Sequence, residues 1–254
     1  GKGPILKPIQ NVSDFELLKK VENIHDTLNP VYDAVSNIKS KLEKNITFIG
    51  FAGSPWTVST YMIEGQGSKD HIKTKAFMLQ HPDIFDKLIL KIEKATIEYL
   101  SKQIIAGVDA VKLFDSWAGS LPGSYLEKYS LIPMKNIAKE LRKRFPKIPI
   151  IVFPRGVGPM YEKFSAIKEF NCIAIDSNID LTWAKNNVQK NNVIQGNLDP
   201  VYLISGGKEL VKQTNKIVEK FSSSGHIFNL GHGITPNAKI ENVDLLIKTI
   251  KEKN

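Results

Sequence analysis

Short apolar runs rich in β-branched residues recur along the chain, each closed by turn residues and followed by a stretch of helical periodicity, the pattern of parallel βα units. The spacing predicts strands over 46–51, 110–114, 148–153, 172–176, 193–196 and 227–230. The run Ile148-Pro149-Ile150-Ile151-Val152-Phe153 is apolar throughout rather than at alternate positions, as a strand covered on both faces requires. Helices are expected over 14–21 with Ser13 as cap, 30–42 with Pro30 in the first turn, 82–105, 208–221 and 237–251. No low-complexity or Pro/Gly-rich linker divides these units, so 1–254 reads as a single α/β domain.

Residues with special chemistry gather just after the strands. They are Gly53-Ser54-Pro55-Trp56, Asp115-Ser116-Trp117-Ala118-Gly119, Pro154-Arg155-Gly156, Gly196-Asn197-Leu198-Asp199-Pro200 and Gly231-His232-Gly233. That end of a parallel sheet holds the ligand in barrels and open sheets alike, which implies one shared pocket. About six βα units are visible where a closed (β/α)8 TIM barrel has eight. The opening Gly1-Lys2-Gly3-Pro4 has the look of a mid-protein loop, so the expectation is a barrel lacking its first two units.

Composition narrows the function classes. No stretch approaches the roughly 18 apolar residues of a membrane-spanning helix, and residues 1–10 lack a signal pattern. A soluble, cytoplasmic protein without a membrane partner is expected. The single cysteine, Cys172, leaves no internal disulfide and no Cys-rich zinc cluster. A net charge of +9 would suit a polyanion, but it comes from lysines spread along helices, such as Lys19, Lys39, Lys212 and Lys216. Nucleic-acid readers cluster their cations among aromatic platforms, so no nucleic-acid partner is expected. Arginine occurs only at Arg142, Arg144 and Arg155, and Arg155 alone follows a strand.

The run Phe48-Ile49-Gly50-Phe51-Ala52-Gly53-Ser54-Pro55-Trp56-Thr57-Val58-Ser59-Thr60-Tyr61-Met62-Ile63-Glu64-Gly65 resembles the G-F-x-G-x-P-W-T-x-x-x-Y-M-x-E-G stretch of uroporphyrinogen decarboxylases. The later clusters around Asp115, Arg155, Asn197 and His232 follow in the family's order, so the resemblance covers nearly the whole chain. It implies a (β/α)8 barrel, a homodimer, and conversion of uroporphyrinogen III to coproporphyrinogen III by loss of four acetate carboxyl groups, without cofactor or metal. The family's R-Q-A-G-R type motif and its F-x-D-I type aspartate have no counterpart here. Both belong upstream of Gly1, so this chain alone is expected to be inactive. A further departure lies at Asp176-Ser177-Asn178, where the family commonly reads D-W.

Decarboxylating a pyrrole acetate leaves a carbanion equivalent, and protonating the adjacent ring carbon first makes the pyrrole an electron sink. The protein then supplies an acid, an anion at the pyrrole nitrogens, and groups that position carboxylates. By resemblance Tyr61 is the active-site tyrosine, hydrogen-bonding a carboxylate; its bland alternative is a half-buried helix aromatic. Ser116 is matched to a carboxylate-binding hydroxyl, and would otherwise be an ordinary helix cap. His232, between two glycines, is placed to meet a propionate or acetate. Arg155 would add positive potential, while Phe51 and Phe114 would wall the macrocycle or sit in the core. His25, His71, His81 and His226 read as structural or surface residues.

Two other classes stay open at this stage. Related barrel methyltransferases use a zinc-bound thiolate, which Cys172 alone does not assemble in its usual form. A non-catalytic tetrapyrrole-binding protein is the non-enzyme alternative.

Overall fold

The computed structural model describes residues 7–252, and the opening Gly1-Lys2-Gly3-Pro4 lies outside them. The chain forms two compact units, the first ending at Pro154 and the second beginning at Arg155. The first contains α1 (Val12–Glu16), α2 (Ile24–Lys39), β1 (Ile49–Gly53), α3 (Pro55–Glu64), α4 (Ile72–Gln80), α5 (Pro82–Ile105), β2 (Ala110–Asp115), α6 (Gly123–Leu126), α7 (Ile132–Arg144) and β3 (Ile150–Pro154). The second contains α8 (Tyr161–Ser165), β4 (Cys172–Ala174), α9 (Leu181–Ala184), β5 (Val193–Gln195), α10 (Tyr202–Ser205), α11 (Gly207–Phe221), β6 (His226–Ile227) and α12 (Ile240–Lys251).

In the first unit β1, β2 and β3 run parallel, with Gly53 beside Phe114 and Phe114 beside Phe153. All five residues of β3 are buried, as the unbroken apolar run requires. In β1 burial alternates instead: Gly50 and Ala52 are covered while Ile49 and Phe51 are exposed. Helix α5 has the bounds its sequence predicts. Pro82 occupies the first turn, where a missing N–H costs nothing, and Phe85, Leu88, Ile89, Ile92, Thr96, Ile97 and Leu100 bury one stripe.

Local readings near the amino end need correction. Asn11, not Ser13, caps α1, its side chain accepting from the Asp14 N–H, and the helix ends at Glu16. Asp14 in turn accepts from the N–H of Gln10, the residue before the cap, and the two bonds together fix the start two residues early. Helix α2 begins at Ile24, so Pro30 lies inside it rather than in its first turn. There the ring leaves one intrahelical carbonyl without its donor, a cost that packing of Tyr32 and Val35 offsets.

In the second unit β4 pairs with β5 and β5 with β6, all parallel. The strand expected over 227–230 is shorter than predicted, because the ladder stops at Ile227 and returns only as a bridge between Leu198 and Leu230. Gly196, at φ 131, takes the chain out of extended geometry at this break. Helix α11 buries Leu210, Thr214, Ile217 and Phe221 at four- and three-residue spacings.

Candidate active site

In the first unit the strand ends are knitted by a buried carboxylate. Asp115 closes β2 and is fully buried; it accepts from the Thr57 hydroxyl at 2.6 Å and the Ser130 hydroxyl at 2.5 Å. Thr57 stands in the first turn of α3 and also accepts from the Trp117 N–H at 3.2 Å, so one hydroxyl grips both neighbours of Ser116. The Trp117 carbonyl accepts in turn from Trp56 Nε1 at 3.0 Å. Burial pushes the Asp115 carboxyl up to about 6, against the opposing pull of the Ser130 and Thr57 hydroxyls.

These contacts present Ser116 half-buried in the turn after β2. Tyr61, one turn beyond Thr57 on α3, is 37% exposed. Three phenylalanines cross the strands in edge-to-face contacts: Phe51 with Phe114 at 5.9 Å and Phe114 with Phe153 at 6.1 Å. The Lys112 ammonium lies 4.5 Å from the Phe114 ring centre and 5.3 Å from that of Phe153. Phe51, 60% exposed, is a surface-facing aromatic rather than part of the core.

Of the four histidines read as structural or surface residues, His71 is on the structural side. It is only 1% exposed, and its ring lies 5.1 Å from that of Trp117. Burial lowers its proton affinity more than any neighbouring charge does. His226 is structural as expected, its Nε2 bonding the Gly196 carbonyl at 2.8 Å.

In the second unit the organising group is Asp176, 4% exposed. Its Oδ2 accepts from the Gly156 N–H and the Tyr161 hydroxyl, both at 2.8 Å, and its Oδ1 from the Asn178 N–H at 2.9 Å. Gly231 explains the Gly-His-Gly signal, because a Cβ there would fall 2.4 Å from the Ser177 nitrogen. Only glycine lets the His232 loop approach the turn after Asp176 so closely; Gly233 faces open space and has no such constraint. Partial covering of the His232 ring and the positive field of Arg155 lower its proton affinity, while Asp176 opposes both. Arg155 is half-buried beside Gly156.

In the first unit Thr57 ties the turn that carries Ser116 to the helix that carries Tyr61, while Phe51 packs on Phe114; in the second, Arg155 and His232 both lie within electrostatic reach of Asp176 or its partner Tyr161. Sequence reasoning missed Asp115, Thr57, Ser130 and Tyr161 as supports. The available signal was a carboxylate ending an apolar strand. Among the described residues no three His, Cys, Asp or Glu side chains gather as metal ligands, and no helix is long and apolar enough to cross a membrane.

The fold has close structural relatives. A methyltransferase from Methanosarcina mazei superposes with a TM-score of 0.78 at 17% identity, covering 98% of this chain and 70% of that one. A B12-independent methionine synthase from a Shewanella species gives 0.63 at 11% identity over 87% and 67%. At such identities the likeness speaks for fold alone, and it defines an α/β protein of the TIM-barrel class. The family model for uroporphyrinogen decarboxylase (URO-D) matches residues 1–253, and the chain belongs to that family. A uroporphyrinogen decarboxylase from Cereibacter sphaeroides is 50% identical over 254 residues, covering all of this chain and 74% of the relative. One from Rhodobacter capsulatus is 47% identical over 253 residues, with 99% and 74% covered.

Proposed function

We propose that this protein is a carboxy-lyase that removes the four acetate carboxyl groups of uroporphyrinogen III, giving coproporphyrinogen III and CO2 in heme biosynthesis. The family match over residues 1–253 carries the reading. The residue types in the two strand-end clusters suit it chemically. Residues 1–254 act in this reading as one functional domain, in a cytoplasmic homodimer, with no cofactor.

The substrate is a polycarboxylate with an apolar macrocycle, and the candidate residues divide accordingly. Phe51 offers an exposed aromatic face to the ring. Ser116 and Tyr61 supply hydroxyl donors to carboxylates, held in place through Thr57. Arg155 and His232 supply positive potential and an N–H donor in the second unit. Tyr61 is the group assigned to hydrogen-bond at the reacting centre, where donors aimed at developing charge act on the rate rather than only on affinity.

The test is anaerobic incubation of the enzyme with uroporphyrinogen and chromatographic separation of the products by carboxyl count. Coproporphyrinogen is the expected product where the family's arginine- and aspartate-bearing segment is present, and residues 1–254 by themselves are expected to leave the substrate unchanged. Ser116→Ala and His232→Asn should each lower kcat/KM about 10- to 100-fold, the equivalent of one charge-assisted hydrogen bond. Retention of all eight carboxyl groups, together with no binding of octacarboxylic uroporphyrin by fluorescence quenching, would overturn the assignment.

A further inference from the structure

Tyr161 belongs to no motif, yet it is wholly buried and bonded on both sides of its hydroxyl. It donates to Asp176 Oδ2 at 2.8 Å and accepts from the Asp176 N–H at 3.2 Å. Asp176 is thereby clamped at carboxylate and backbone by one side chain. The same carboxylate holds the Gly156 N–H, directly after Arg155, and the Asn178 N–H, while the Asp176 carbonyl accepts from Asn197 Nδ2 at 2.9 Å. Three loops of the second unit thus converge on one residue: 155–160, 176–178 and the turn at Asn197. Such a hub fixes loop geometry, because moving any one loop breaks bonds made by the others.

We infer that Tyr161 and Asp176 are positioning residues that hold the Arg155 guanidinium beside His232, so that both groups meet the same carboxylate of a polycarboxylate substrate. This rests on the reading of Arg155 and His232 as carboxylate-binding groups. Burial and the Asp176 charge push the Tyr161 phenol well above its ordinary value, so it stays an O–H donor and serves as a fixed strut, not as an acid. Arg155 is close enough to act on the proton affinities of both Tyr161 and His232. The charged groups that bear on His232 are Arg155 and Asp176, one lowering and one raising its affinity for a proton. Loosening the hub therefore changes the His232 environment as well as the reach of Arg155.

A double-mutant cycle on binding of uroporphyrin, read by fluorescence quenching, separates positioning from general stability. Arg155→Ala should weaken binding about tenfold or more, and Tyr161→Phe about three- to tenfold. In the Arg155→Ala background Tyr161→Phe should cost nothing further. Equal losses in both backgrounds would overturn the inference, since a structural role alone predicts additivity. The second readout is the His232 imidazole titration by NMR, its resonance assigned with His232→Asn. Arg155→Ala should raise its midpoint, and Tyr161→Phe should shift it; an unchanged midpoint in Tyr161→Phe overturns the inference. Should that variant not fold, Asp176→Asn is expected to lower the His232 midpoint, and no change there has the same force. If uroporphyrin does not bind but the titrations shift as stated, the carboxylate reading falls and the positioning stands. If it binds and the cycle is additive, the positioning falls alone.

Discussion

Asp115 closes a buried parallel strand in the first unit and Asp176 follows one in the second, and each anchors loops that carry candidate site residues, yet their oxygens are satisfied differently. Asp115 is held mainly by side-chain hydroxyls, those of Thr57 and Ser130, with the Thr57 N–H also favouring its charged form. Asp176 is held by two backbone N–H groups and a phenol, from Gly156, Asn178 and Tyr161. A hydroxyl can rotate to accept as well as donate, so the hydroxyl partners of Asp115 accommodate either protonation state. A backbone N–H only donates, so the Asp176 nest demands acceptors at both oxygens. The first arrangement is adaptable and tied to helix packing; the second is rigid and tied to loop placement.

The largest expected effect comes from emptying the rigid nest. Asp176→Ala leaves a buried phenol and two backbone donors without their acceptor, and should cost roughly 4 kcal/mol of stability, summed from about 1–3 per orphaned group. Urea unfolding followed by tryptophan fluorescence measures it. A loss as small as that of a surface substitution would break the contrast between the two carboxylates.

Next in size is a pH effect confined to the adaptable nest. The Asp115 carboxyl titrates near 6 in the folded protein instead of at 3.8. Between those values the folded state keeps a proton that the unfolded chain has released, so it binds more protons than the unfolded state. Stability must then fall as pH rises from about 4 to 6 and level off above, a change of roughly 3 kcal/mol for this group. Asp115→Asn carries no titrating proton, so relative to the parent it should gain that amount across the same window. Parallel stability curves for the two proteins from pH 4 to 7 would show that the charged form is not penalised.

How far the sequence anticipates these arrangements depends on how local their causes are. Helix α5 follows its predicted bounds because Pro82 and a regular apolar stripe act within one segment. Strand β3 reads as doubly covered for the same reason. The Gly231 approach to Ser177 was foreseeable in kind, since glycines flanking a histidine signal close packing. The Asp115 nest was not: its donors lie 58 and 15 residues away, and no periodicity links them. Tyr161 escaped notice because a tyrosine heading a short helix looks like any core aromatic until its partner, 15 residues on, is known. The Asn11 cap was missed by weighing Ser13 alone, although Asn11 stands three residues before Asp14, the spacing of a side-chain cap and the N–H it accepts from. Family resemblance names Tyr61, Ser116 and His232 as candidates and says nothing of what holds them.

Thr57→Val is the smallest expected effect and the one that most sharpens the contrast. Valine keeps the shape of threonine and removes the hydroxyl that donates to Asp115 and accepts from the Trp117 N–H. At pH 7, where Asp115 is charged, one donor to a buried carboxylate is lost, and the cost should be about 2 kcal/mol. At pH 4 the carboxyl is protonated and needs that donor less, so the cost should shrink to about 1 kcal/mol, what remains being the Trp117 N–H left without its acceptor. The sign follows from the hydroxyl favouring the charged form: without it the Asp115 midpoint climbs further above 6, and stability keeps falling to higher pH. Because Thr57 grips both neighbours of Ser116, the same substitution should also loosen the turn that presents the Ser116 hydroxyl. A cost equal at both pH values would mean that Thr57 acts only through packing, and the adaptable nest would then be no more than a filled cavity.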